Sequence, residues 1–240
     1  MRRHLPIVLH TCLAATLLAT IVSAQTVDEI VARNLAAKGG ADKLKAVQTM
    51  RLTGTITARG MTAPFTISSK RPNLARQETE IQGVAMVRGF DGTTPWMMQS
   101  GQVREITGPE AQATRDQADF DSPLVDYRAK GNTVELVGTE TIDGVKVHHL
   151  KVTTKAGQVQ QYFLDAETGL ERQTSVTISQ NGATATVVSA LSDYREVEGL
   201  KIPFSIKQTV NGTPATELTI EKAEFNVPLD AALFKMPKPQ

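Results

Sequence analysis

The chain has 240 residues, with 26 lysine and arginine residues against 25 aspartate and glutamate residues and a net charge of +1. Because its net charge is close to zero, it lacks the electrostatic attraction that binding to nucleic acid or to anionic lipid headgroups requires. Its single cysteine, Cys12, lies near the start, so the sequence offers no disulfide pair.

The first 24 residues have the features of a secretory signal peptide. Arg2 and Arg3 precede a mainly apolar stretch that ends in the small residues Ser23 and Ala24. A basic start, an apolar middle and small residues at a cleavage point are typical of exported proteins. We expect cleavage after Ala24, so that residues 25–240 form the mature chain as a single domain.

A membrane anchor that stays in place is the alternative for this segment. The apolar stretch contains His10 and several threonines, however, and it is short for a bilayer span. Cys12 is a poor site for lipidation because His10 occupies a position where a small residue is needed. We therefore predict a periplasmic protein that is not lipidated.

Two short helices open the predicted mature chain. Val27, Ile30 and Leu35 follow helical spacing, and Gly39 and Gly40 end this first helix. A second helical turn is predicted over residues 42–47.

Alternation of apolar and polar residues then predicts β-strands over residues 50–106 and again over residues 133–225. The alternation is clear in residues 61–70, where Met61, Phe65 and Ile67 are separated by polar neighbours. Pro64 removes one ladder donor from that strand, which favours an edge or a bulge there. A last helical turn is predicted over residues 229–234.

Residues 109–130 interrupt the strand pattern with a sequence rich in alanine, glutamine and aspartate. We predict one helix over residues 110–118 and a second over residues 123–129. The bulky apolar residues of this segment are Phe120, Leu124, Val125 and Tyr127. Because four apolar side chains can bury only a small area, we expect residues 110–129 to form a mobile lid. Trp96 should lie on the strand that faces this lid.

About eleven strands with one apolar face, and only a few short helices, fit a single curved sheet around the helices better than a sandwich. We therefore expect a mainly β fold. In this fold an open, unclosed antiparallel β-barrel of about eleven strands has helices that lid its concave face.

Several motifs resemble a known family. A signal peptide and a helix that ends in Ala-Lys-Gly-Gly are followed by Phe90-Asp91-Gly92, by YFLDAETGL at residues 162–170 and by YREVEGLKIP at residues 194–203. Over nearly the whole mature chain, this set is similar to the outer-membrane lipoprotein carrier (LolA/LolB-like) superfamily, especially its divergent members. The resemblance implies an open barrel whose apolar concave side holds the acyl chains of lipoproteins in transit across the periplasm.

In those carriers an arginine ties the sheet to the lid helices. Arg51, Arg76 and Arg88 all lie on predicted strands, and the resemblance makes each of them a candidate for this role.

Motifs for catalysis are missing from the sequence. It contains no Gly-x-Ser-x-Gly motif, no glycine-rich phosphate loop before a helix and no cysteine after Cys12. His148 and His149 are neighbours on a predicted strand and should point to opposite faces, so they cannot chelate one metal together. We predict no enzyme activity, no catalytic residue, no metal site and no cofactor.

Methionine and aromatic residues make adaptable apolar surfaces, although core packing would use the same residue types. The predicted ligand-binding residues are Met61, Phe65, Met86, Trp96, Met98, Leu124 and Phe163. From these residues and the family resemblance we predict a monomeric, non-enzymatic periplasmic carrier or binding protein. Its expected partner is a lipid or an acylated, lipoprotein-like hydrophobic ligand. The alternative is a protein-interaction module on the same fold that senses envelope stress or scaffolds an envelope protein.

Overall fold

The structure is a computed structural model that describes residues 25–180 and 183–238. The predicted signal peptide, Cys12 and the cleavage point after Ala24 lie outside the described residues. Within the described residues, no helix is both long enough and apolar enough to cross a bilayer.

Three α-helices and one 3-10 helix accompany the strands of the described chain. The helices are α1 (Val27–Ala37), α2 (Ala41–Ala46), α3 (Gly108–Ala118) and the 3-10 helix Ala231–Phe234. The first six strands are β1 (Thr49–Ala58), β2 (Met61–Lys70), β3 (Leu74–Ile81), β4 (Val84–Phe90), β5 (Pro95–Gln99) and β6 (Gln102–Glu105). The next seven are β7 (Thr133–Ile142), β8 (Val145–Thr153), β9 (Val159–Asp165), β10 (Glu171–Gln180), β11 (Ala183–Val197), β12 (Leu200–Val210) and β13 (Thr213–Phe225).

In the described residues, the strands form one antiparallel sheet of thirteen, in the order β6-β5-β4-β3-β2-β1-β13-β12-β11-β10-β9-β8-β7. Two meanders, β1–β6 and β7–β13, therefore join side by side through β1 and β13. The sheet is not closed, which confirms the predicted open half-barrel, although the count exceeds the expected eleven or so. Because β6 and β7 are the two opposite edges, the chain that links them must cross the opening of the sheet.

The predicted second helix of the middle segment is wrong. Residues 123–131 form a series of turns, in which the backbone N–H of Val125 donates to the carbonyl of Ser122. Asp126 has a φ of 47°. A left-handed residue cannot continue a right-handed helix, so the chain turns there instead.

Pro64 lies where β2 has a partner on only one side. β2 pairs with β1 along its whole length, but its pairing with β3 begins at Phe65. β2 is therefore an interior strand, but at Pro64 it has no partner on the side of β3. The missing N–H of proline costs no ladder hydrogen bond on that side.

Helices α1 and α3 cover the same face of the sheet, which we call the inner face. Ile30 and Val31 of α1 pack against Leu150 of β8 and Tyr162 of β9, and these residues belong to one buried cluster. Helix α3 contacts β4 and β5 in one arm of the sheet and β10 in the other. The side chains that alternate with these inner residues form the outer face.

The C-terminal segment covers the outer face of the first meander. Trp96 is fully buried there, and its indole N–H donates to the carbonyl of Phe234 at 2.9 Å. Arg76 donates to the carbonyl of Leu233 at 3.1 Å, and its guanidinium lies over the Trp96 ring. The strand of Trp96, β5, contacts α3 as predicted, but the ring of Trp96 points to the opposite face of the sheet.

Gly89 leaves the space that the Trp96 ring occupies. A Cβ at position 89 would lie 2.4 Å from two ring carbons of Trp96. We expect Gly89→Ala to lower the free energy of unfolding by about 1–3 kcal/mol, because the buried ring must shift away from the Phe234 carbonyl. Urea denaturation followed by Trp96 fluorescence measures this change.

Gly138→Ala is the matched control for that substitution. A Cβ at position 138 meets nothing within 4 Å, so the free energy of unfolding should stay within about 0.5 kcal/mol of the parent. An equal effect of the two substitutions would contradict the packing of Trp96 against Gly89.

Candidate functional site

Half-buried apolar side chains cross the inner face in continuous rows. Register places Leu191 of β11 opposite Ile206 of β12, Ile206 opposite Leu218 of β13, and Leu218 opposite Ile56 of β1. Beyond this row, Val176 of β10 pairs with Val187 of β11. All six side chains are half-buried, and we call this surface the groove.

Helix α3 covers the groove with small side chains. Its buried residues are Ala111, Thr114 and Ala118, which follow one another at helical spacing along one side. Because none of them is large, the helix rests on the sheet without filling the space beneath it.

A cavity lies on each side of α3, and Gln117 lines both. The first, of about 260 Å³, lies against β10 and β11, where Val176 and Val187 meet polar residues. The second, of about 220 Å³, lies against β3, β4 and β5, where Met86 and Met97 are its main apolar lining. The groove is thus covered but not filled.

A salt bridge joins α3 to the sheet. Arg88 of β4 lies 2.6 Å from the Glu110 carboxylate in the first turn of α3. Arg88 is therefore the one of the three candidate arginines that reaches the covering helix. Arg76 and Arg51 lie on the outer face, where Arg76 binds the C-terminal segment.

Arg71, which the sequence analysis did not single out, anchors the chain beyond α3. Its guanidinium makes a two-pronged salt bridge with Asp121 and lies 4.6 Å from the centre of the Phe120 ring. It also donates to the carbonyls of Val47 at 2.6 Å and Leu44 at 3.0 Å. Arg71 stands in the connection between β2 and β3, and nothing in its sequence position signals this role.

The second half of the predicted lid belongs to the core. Leu124 is fully buried in the cluster formed by α1, β8 and β9, and Val125 is also buried. The side-chain amide of Asn132 donates to the carbonyl of Pro123 at 3.0 Å and fixes the end of the segment. Helix α3 meets the groove through small side chains, whereas the segment around Leu124 is part of the core. The expectation of a single lid over residues 110–129 is therefore wrong for its second half.

The predicted ligand-binding residues divide between the two faces. Met61, Phe65 and Met86 lie on the inner face. Of these, Met86 lines a cavity, Phe65 is buried against Phe204 and Ile220, and Met61 is exposed at the end of its strand.

Trp96, Met98 and Phe163 lie on the outer face. Met98 alternates with the cavity-lining Met97, and the Phe163 ring stacks on His149 with 4.4 Å between ring centres. The predicted ligand-binding set took Met98 in place of the cavity-lining Met97, because both are apolar and alternation alone does not say which one faces inward.

The histidine pair divides as predicted. His149 lies on the outer face, where its ring bonds with Glu140 at 2.6 Å and Gln161 at 2.8 Å. His148 lies on the inner side, where burial and the nearby Arg33 hold its pKa below the ordinary value. Among residues 25–180 and 183–238, no group of three His, Cys, Asp or Glu side chains is placed to hold a metal ion.

Solved structures of similar architecture identify the fold. A LolA superfamily protein from Nitrosomonas europaea matches with a TM-score of 0.57 and 15% identity, over 88% of this chain and 98% of that one. The chain has the LolA-like fold. A putative outer membrane lipoprotein-sorting protein domain from Vibrio parahaemolyticus matches with a TM-score of 0.59 and 14% identity, over 86% of this chain and 94% of that one.

A DUF1329 family protein from Desulfovibrio piger matches with a TM-score of 0.60 and 14% identity, over 87% of this chain and 97% of that one. No family model matches the sequence, and no curated protein matches it. Because the sequence identities are only 14–15%, these matches show a shared LolA-like fold and nothing about function.

The Arg88–Glu110 salt bridge should hold α3 in place. Because both side chains are partly exposed, such a pair contributes about 0–1 kcal/mol. We expect Glu110→Gln to speed hydrogen exchange at the amides of residues 108–118 by up to about fivefold, while the global free energy of unfolding falls by no more than about 1 kcal/mol.

Glu217→Gln is the matched control, because it removes the same charge from a pair with Lys207 that lies away from α3. It should leave exchange in α3 unchanged. Equal exchange in the parent and Glu110→Gln would show that the salt bridge does not hold the helix.

Proposed function

We propose that this chain is a non-enzymatic periplasmic binding or carrier protein for a lipid or an acylated hydrophobic ligand. The observation that carries the proposal is the covered but unfilled inner face, where half-buried Val176, Val187, Met86 and Met97 line the cavities on either side of α3. The LolA-like fold and the export signal predicted from residues 1–24 support the same function.

The energetics of such binding need no charged contact. Each methylene removed from water contributes about 0.8 kcal/mol, so an acyl chain that enters the groove has a large apolar driving force. Helix α3 rests on three small side chains, Ala111, Thr114 and Ala118, so little packing would be lost when it shifts. The segment around Leu124, which is fully buried, would stay in place.

Native mass spectrometry of protein purified from the periplasm of a Gram-negative host tests this function. We expect adducts with the mass of lipids, their loss on organic extraction, and rebinding of a monoacyl lipid afterwards. A protein that carries no lipid and takes up none would contradict the proposal. A stoichiometric protein partner that survives lipid extraction would instead favour the interaction module.

Neighbouring valines on β11 provide a matched pair of variants. Val187 lines the cavity beside α3, whereas Val188 alternates with it onto the outer face, and both are half-buried. We expect Val187→Asp to weaken lipid binding by about tenfold or more, because a charge in the groove must be desolvated by the chain. Val188→Asp should bind as the parent does, and equal losses would place the site elsewhere.

A further inference from the structure

A row of neutral polar side chains crosses the otherwise apolar groove. Register aligns Thr174 of β10, Ser189 of β11, Gln208 of β12 and Thr216 of β13 in one line across the strands. This polar row runs beside the apolar row that contains Leu191 and the three residues aligned with it. Polar residues in this position require partners, because an unpaired polar group is costly where an apolar ligand excludes water.

The hydrogen bonds within the polar row run from Thr216 through Gln208 to Ser189, at the cavity end. Thr216 Oγ1 donates to Gln208 Oε1 at 2.8 Å, and Gln208 Nε2 donates to Ser189 Oγ at 3.1 Å. Since Ser189 Oγ accepts from Gln208, its own proton is available for another acceptor. Neither Ser189 nor Thr174 donates to any group of the described residues, and both line the cavity of about 260 Å³.

The charge around this cavity disfavours an anion. Asp116, Asp119 and Asp121 line it from the covering segment, and no lysine or arginine is among the described residues that line it. Asp121 is paired with Arg71, and Asp119 with Lys130. Arg115, Lys130 and Lys155 line an adjoining opening that shares Asp116 and Asp119 with this cavity, but the polar row does not line that opening. A free fatty-acid carboxylate held at the polar row would therefore lose its hydration without direct contact with a cation, whereas a neutral carbonyl needs only a donor.

We propose that the polar row recognises the neutral carbonyl that joins an acyl chain to its headgroup, so that the ligand is an acyl ester or amide rather than a free fatty acid. Ser189 and Thr174 donate to this carbonyl, and Gln208 positions Ser189. The chain then extends over the apolar surface of Val176 and Val187. This inference rests on the proposed lipid-binding function and specifies its ligand class.

Displacement of Nile red from the full-length exported protein, with 1-monomyristoylglycerol, N-myristoylethanolamine and myristate as competitors, tests the inference. All three share one acyl chain, and only myristate carries a charge. We expect the two neutral competitors to bind at least about tenfold more tightly than myristate. In the double variant Ser189→Ala/Thr174→Val, this preference should fall by about tenfold, with myristate little changed.

The control is the double variant Ser192→Ala/Thr177→Val, on the outer face of the same two strands. It should keep the preference of the parent. If all three competitors bind and myristate binds as tightly as the others, the ligand class is wrong while the lipid-binding function stands. Arg115 and Lys155, which line the adjoining opening, would then account for anion binding. If no competitor displaces the dye, both proposals fail together.

Discussion

The position of the two edge strands decides how this molecule is built. β6 and β7 are consecutive in the chain but lie at opposite edges of the sheet. The connection between them must therefore pass over the opening, and α3 with the segment that follows it does so. Strand order alone therefore requires a segment that covers the opening. How firmly that segment is held depends on the side chains of the connecting residues.

The two parts of this connection pack against the sheet in different ways. Its second part is fixed, because Leu124 is fully buried and Arg71 clamps Asp121 and Phe120. Its first part, α3, meets the sheet through small side chains and is tied by one partly exposed salt bridge. One end is therefore anchored while the other covers a groove that remains unfilled, an arrangement suited to a ligand that enters beneath the helix.

Alternation predicted the strands well, because a half-buried strand must alternate whatever lies on either side of it. The bounds predicted for residues 61–70 agree with those of β2. Alternation gave no answer where both faces are apolar, as at Trp96 and Met98. Those side chains pack outward because the C-terminal segment, far away in sequence, covers that face.

Long-range contacts also explain why the sequence did not reveal the role of Arg71 or the polar row. The role of Arg71 depends on α2 and on residue 121 arriving at the same place, which no local pattern reveals. The polar row is likewise formed by pairing across four strands, so its members look isolated in the sequence.

The central claim is that an acyl chain lies on the inner face beneath α3, and photo-crosslinking tests it most directly. A monoacyl ester with a diazirine on its chain is bound, irradiated and mapped by peptide mass spectrometry. The account predicts labels on Met86, Met97, Gln117, Val176 and Val187, which line the two cavities. Labels concentrated on Met98, Phe163 or the C-terminal segment over Trp96 would contradict it.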